Sequence, residues 1–217
     1  MDLTRQIDLY CERLGPGLWA EPVNALTNLA FLLVALVMWR RSAGLAAPRL
    51  LSAILFVIGL GSFAFHTTAT LWAAMADSLP ILGFALTYIY ATNRFVLGWS
   101  DISAALGTLA YLPFAWVVAA LLAGVPFFGI SAGYWSLPLL MALYAGALWR
   151  REAGVARGLA LSAGLLALSL TARSLDAPFC AVLGIGTHFL WHLLNAVLLG
   201  WMIEVLRRHL AGRATGG

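Results

Sequence analysis

The sequence contains no lysine and few charges of any kind. Only 10% of its 217 residues are charged, against about 25% in a soluble globular domain. That scarcity, with 62% hydrophobic residues and a mean hydropathy of +0.90, excludes an ordinary soluble fold. The chain shows no internal repeat and no low-complexity linker, and its apolar runs follow one another too closely for a second domain. Residues 1–22 lack the basic start, short apolar core and small-residue cleavage site of a signal peptide, so the first apolar run is expected to serve as an uncleaved anchor. The net charge of +4 comes from arginine alone. The arginines sit in short clusters between apolar runs, which fits topology signals rather than a nucleic-acid-binding patch.

What remains is an all-α integral membrane protein, expected as a seven-transmembrane-helix bundle. The spans are read at 24–40, 50–68, 77–98, 102–123, 133–149, 158–175 and 186–205, each near the roughly 20 residues that a bilayer requires. If the N-terminus lies outside, the inner side holds Arg40, Arg41, Arg49, Arg94, Arg150, Arg151, Arg157, Arg207, Arg208 and Arg213, and the outer side only Arg5, Arg13 and Arg173. The positive-inside rule then sets the N-terminus outside and the C-terminus in the cytoplasm. This gives an extracytoplasmic arm at 1–22, a helical domain at 23–206, and a cytoplasmic tail at 207–217, frayed from 211. The all-arginine, alanine-rich composition suggests a GC-rich bacterium and hence an inner membrane.

Polar groups at membrane depth are expensive and default to a functional reading. Ser62 and His66 are four apart and share a helical face, in the outer half of the second span. Asp77 stands at the expected outer start of the third span. His188 and His192, again four apart, open the seventh. Three neutral imidazoles with an open fourth position make a catalytic zinc site. Asp77 would deprotonate the attacking water or brace a ligand ring, and Ser62 would donate to a developing oxyanion. The natural reaction there is hydrolysis of a lipid amide or ester. Plainer roles stand beside these: interhelical hydrogen bonds for single histidines, close packing for Ser62 beside Gly59 and Gly61, and a helix cap for Asp77. His209, in the basic tail, reads as solvated. A seven-helix receptor or lipid-binding protein with a structural metal is the alternative function. A transporter would spread charges along a whole pathway, whereas here they cluster in one leaflet.

In the arm, Asp8, Glu12 and Glu21 are hard oxygen ligands compatible with calcium, or simply a solvated acidic surface. Asn24 and Asn28, one turn apart, would hydrogen-bond across helices or link the arm to the site. Cys11 and Cys180 both fall on the outer side, where a disulfide persists; they are either bridged or two free thiols.

Three blocks carry a resemblance over most of the chain: Cys11-Glu12 with Trp19, Glu21, Asn24 and Asn28; Gly59, Gly61, Ser62, Phe65, His66 and Thr68 followed by Asp77 and Pro80; and His188 with Trp191-His192. The sequence resembles the alkaline ceramidases, seven-span zinc amidases of a wider group that includes the adiponectin-type receptors. The resemblance implies zinc on His66, His188 and His192, a water activated with Asp77, and Ser62 at the oxyanion. The substrate it implies is the amide of ceramide or a related N-acyl lipid, split into fatty acid and base. It maps a calcium site onto Glu12 and Glu21. There the pattern departs: Asp8 is one residue too far from Glu12, Leu14 replaces a polar ligand, and the Glu12-to-Glu21 spacing is short. Ala74 and Ser78 also replace polar residues usual in eukaryotic members, so a different head group is expected.

Overall fold

The computed structural model of the chain describes residues 2–215. In order, its helices are α1 (Pro22–Thr27), α2 (Leu29–Arg41), α3 (Ala46–Thr68), α4 (Leu71–Ala91, continued by a π-turn at Thr92–Val96), α5 (Asp101–Leu109), α6 (Tyr111–Leu122), α7 (Pro126–Gly129), α8 (Ser136–Leu148), α9 (Ala153–Ser174), α10 (Asp176–Leu183) and α11 (His188–Thr215). Among the described residues the only β pairing is an isolated bridge between Gln6 and Thr70. Six stretches among the described residues are long and apolar enough to cross a membrane: Pro22–Arg41, Ala46–Thr68, Leu71–Val96, Asp101–Leu122, Ala153–Ser174 and His188–Arg213.

The fifth expected span corresponds to α8, which has only 13 residues. At 1.5 Å per residue it covers about 20 Å of a roughly 30 Å hydrocarbon core. Hydrogen-bonded turns through Ser131, Ala132 and Tyr134 replace the helix that would otherwise precede it.

Two other spans are broken for local reasons. Thr27 and Asn28 donate side-chain hydrogen bonds back to the carbonyls of Val23 and Asn24, a competition with the main-chain ladder that separates α1 from α2. Pro113 clashes with the carbonyl four residues earlier, at Leu109, where α5 ends.

The third span needs a correction. Its helix starts at Leu71, not Asp77, with Thr70 in extended conformation at its N-cap. Asp77 therefore lies in the second turn and caps nothing. The link from α3 is only Ala69 and Thr70, with Ala69 in the left-handed region at φ 45°. That costs a non-glycine residue on the order of 1–2 kcal/mol. The arm compensates: Ile7 N–H donates to Ala69 O at 2.7 Å, and Leu71 N–H to Arg5 O at 3.0 Å.

This tight link lays α3 against α4. In lipid, apolar surface alone does not hold helices together, so small residues that allow close approach matter. Pro80 deprives the Ala76 carbonyl of its usual helical donor, and that carbonyl lies against Gly61. A Cβ on Gly61 would sit 2.0 Å from the Ala76 oxygen. Gly61→Ala is therefore expected to force α3 and α4 apart between Ser62 and Asp77. The cost is about 1–3 kcal/mol, seen as a lower melting temperature in detergent. An unchanged melting temperature would show that the interface yields.

The last helix runs through Thr215, unbroken across the expected start of the tail; of the frayed stretch, Gly216 and Gly217 lie outside the described residues. His209 is not solvated. Its side chain is 6% exposed and lies 3.4 Å from Glu152, with Nε2 3.2 Å from Phe95 O. Beside it, Glu204 accepts from Arg41, Arg207 and Arg208 at 3.1, 2.7 and 2.7 Å, tying α2 to α11. The core between these basic groups and the histidine end is built from Leu51, Leu55 and Ile58 of α3, Leu170 of α9, and Leu198 and Ile203 of α11, all at most 2% exposed.

Candidate metal centre

Ser62 and His66 emerge from one face of α3, and both are buried. His188 is the first residue of α11. Its position is set from outside the helix: Asp176 of α10 accepts the N–H groups of Thr187 and His188, each at 2.8 Å. A carboxylate thus satisfies donors that a helix start leaves open. Gly186 is required beside it, with φ 64° and a would-be Cβ 2.1 Å from the Asp176 oxygen. The other Asp176 oxygen accepts Cys11 N–H at 2.9 Å. Cys11 and Cys180 are joined by a disulfide, so the arm, α10 and the start of α11 form one tied unit.

The three rings meet. Their centroids are 5.1 Å (His66–His188), 4.6 Å (His66–His192) and 4.7 Å (His188–His192) apart. One candidate ligand atom from each residue lies within 4.8 Å of the others. Each of the three histidines is only 1% exposed. Each ring also keeps a buried nitrogen without a partner: Nε2 of His66, Nδ1 of His188 and Nε2 of His192. Buried polar atoms are rarely left so, and three together fit a metal ion.

The backs of two rings are held. His66 Nδ1 lies 2.6 Å from Glu21 Oε2. Burial pushes the Glu21 carboxyl up, but the contacts from His66 and Arg13 outweigh it and hold it below the usual carboxylate range. The anion therefore takes Nδ1–H and turns Nε2 to the centre. His192 Nδ1 is 2.9 Å from Thr27 Oγ1. That hydroxyl already donates to Val23 O and Asn24 O, so it accepts from His192 Nδ1–H, again freeing Nε2. Such partners fix tautomer and ring orientation. Tyr10 stacks on His188 at 3.6 Å between centroids, its phenol pushed by burial up to about 12.

Asp77 is half-buried and lines an elongated cavity together with Ser62, whose hydroxyl faces the Asp77 carboxylate. The cavity continues to Thr92, Tyr144 and Met202. From Asp77 to Thr92 along α4 is roughly 22 Å at 1.5 Å per residue. Its walls are apolar apart from a few groups such as Asn195. A second hollow meets it at Asp77 and is lined by Ser78, Tyr134 and Arg173. Arg173, counted on the outer side of the membrane by the sequence, is 9% exposed and donates to Tyr10 and Ser131.

The expected calcium ligands do not come together as a site among the described residues. Both oxygens of Glu12 accept main-chain N–H groups, from Val23 at 2.7 Å and Asn24 at 2.8 Å. Glu21 is taken by His66 and Arg13. Asp8 is exposed. Asn24 links the arm to the site through Glu21 at 3.2 Å, while the Asn28 side chain donates to Asn24 O at 2.8 Å.

Sequence reasoning missed Thr27, Arg13, Tyr10 and Asp176. Thr27 carried a signal, lying one turn into an apolar run beside Asn24; the others act through contacts of long sequence separation.

A family model described as Ceramidase matches residues 10–212. No curated protein matches the chain.

Proposed function

The chain belongs to the ceramidase family, and on that premise we propose that it is a membrane-embedded, zinc-dependent amidohydrolase acting on ceramide or a related N-acyl lipid. The observation that carries this reading is the meeting of three rings, each with an orphaned nitrogen, beside Asp77 at one end of a long apolar cavity. His66, His188 and His192 would hold the ion. When bound, zinc brings the pKa of a water toward about 7 and polarises a carbonyl.

The chain's own groups do the rest. The cavity takes the acyl chain and orients the amide beside Asp77. A carboxylate oxygen of Asp77 accepts a proton from the attacking water and returns it to the departing amine nitrogen. Ser62 donates its hydroxyl to the carbonyl oxygen as negative charge builds there. The hollow around Ser78 and Tyr134 takes the head group. Products are a fatty acid and a sphingoid or other amine base.

In the same reading α8 and the turns before it form a seventh crossing, with the arm outside and the C-terminus in the cytoplasm. The disulfide supports this, because such bonds persist outside the cytosol. The arginines gathered around Glu204, at the end away from the histidines, support it too. The membrane is then a bacterial inner membrane, with the site toward the periplasmic leaflet.

The test is incubation of the purified protein with a panel of N-acyl lipids, ceramide included, following free fatty acid. Release that a chelator stops and added zinc restores is the expected result. Release that ignores the chelator, or none from any N-acyl lipid, overturns the proposal.

A further inference from the structure

Arg13 is as deeply buried as the histidines' supports. Its side chain and that of Glu21 are each 3% exposed. A buried guanidinium must be paired and hydrogen-bonded to be tolerated, and this one is. Nε donates to Glu21 Oε1, Nη1 to Gly15 O at 3.0 Å, and Nη2 to His66 O at 3.1 Å. These three acceptors are one carboxylate oxygen and two main-chain carbonyls, which is the oxygen chemistry of a calcium shell, here gathered around an arginine. Glu21 grips the His66 ring through its other oxygen. His66 is therefore held twice from the arm, by its ring through Glu21 and by its carbonyl directly. That carbonyl lies in the last turn of α3, where a positive charge is favoured.

We propose that Arg13 is a built-in cation, whose guanidinium stands between the arm and α3 in place of a bound divalent ion and so fixes His66 in its ligating posture without calcium. Arg13 touches neither metal nor substrate; it is a positioning residue acting through Glu21. The proposal rests on the three-histidine metal reading. It explains why the acids of the arm offer no vacant ligand set, since Glu21 is neutralised by Arg13 and Glu12 is spent on the start of α1.

The test uses the full-length, zinc-loaded protein in detergent. Zinc release to a zinc-selective dye, and the melting temperature, are read with and without millimolar calcium. Wild type is expected to give the same values either way. Arg13→Ala should release zinc about 10–100-fold faster, the usual cost of losing a ligand's support. Methylguanidinium should slow that release again, which it would not do if the arginine merely filled space. Arg13→Lys keeps the charge without the planar fork and should fall between; it carries the comparison if the alanine variant does not fold. Calcium that stabilises wild type or slows its zinc release overturns the proposal, as does an Arg13→Ala protein that holds zinc like wild type. A wild type without zinc overturns the hydrolase reading itself, whereas a calcium response overturns only the role given to Arg13.

Discussion

Alanine at His66, His188 or His192 is expected to strip the purified protein of zinc and to lower fatty-acid release at least about a thousandfold. The magnitude follows from what the ion would supply: about 4 kcal/mol of transition-state stabilisation is a factor near a thousand in rate. The three rings share one small space, with a candidate ligand atom from each within 4.8 Å of the others, so no other described residue stands ready to replace a lost ring. His66 should be the most sensitive, because Glu21 and, through it, Arg13 are organised around it. Removing the ring would leave Glu21 Oε2 buried with only the Asn24 amide, at 3.2 Å, as a donor. Metal analysis of each variant beside its melting temperature separates loss of the ion from loss of the fold. His209→Ala is the control. It lies against Phe95 O and Glu152, near Glu204 and its arginines, and should keep both zinc and activity. Full zinc content in any one of the three alanine variants would remove that histidine from the ligand set.

Much of this arrangement can be read from the sequence, and the parts that cannot have a common cause. The membrane class follows from composition, and the shared faces of Ser62 with His66 and of His188 with His192 follow from the 3.6-residue period. That α3 meets α11 does not follow from any local pattern. It came from the common depth at which rare polar residues fall. Where the sequence reading slipped, a contact from far along the chain decided the outcome. The start of α4 at Leu71 rather than Asp77 depends on the arm, whose Arg5 and Ile7 bond across the Ala69–Thr70 link. Apolar periodicity cannot register that, because the alanine-rich run 69–76 is compatible with helix or link. The buried state of Arg173 and the capping of α11 by Asp176 likewise join residues that no spacing rule relates. Arg13 was read as a topology signal because charge alone is visible in a sequence; its partners, Glu21 and the His66 carbonyl, are visible only in three dimensions. The shortness of α8 escaped because Gly133 and Tyr134 are apolar enough to extend a hydropathy window while the backbone there turns.

Asp77→Asn is expected to keep its zinc and lose turnover by about 10²–10⁴-fold, the range spanned by a positioned acid or base. The carboxylate is not one of the three side chains grouped so that they could hold a metal; it stands on α4, across the cavity wall from the ring on α3, with the Ser62 hydroxyl facing it. Asparagine has nearly the same shape and can still accept from Ser62, so the cavity and the α3–α4 contact at Gly61 should survive. What it cannot do is take a proton from water. The loss should therefore fall on kcat, with KM for the lipid little changed, because in the proposed reading the acyl chain would be gripped well beyond Asp77 by the walls leading to Thr92 and Met202. Ser62→Ala should cost less, about 10²–10³-fold, since it removes one donor to the oxyanion and leaves the proton path intact. Zinc content and steady-state kinetics on the same preparations decide the matter. If Asp77→Asn lost its metal along with its activity, Asp77 would be a fourth ligand, and the proton would have to travel through another group.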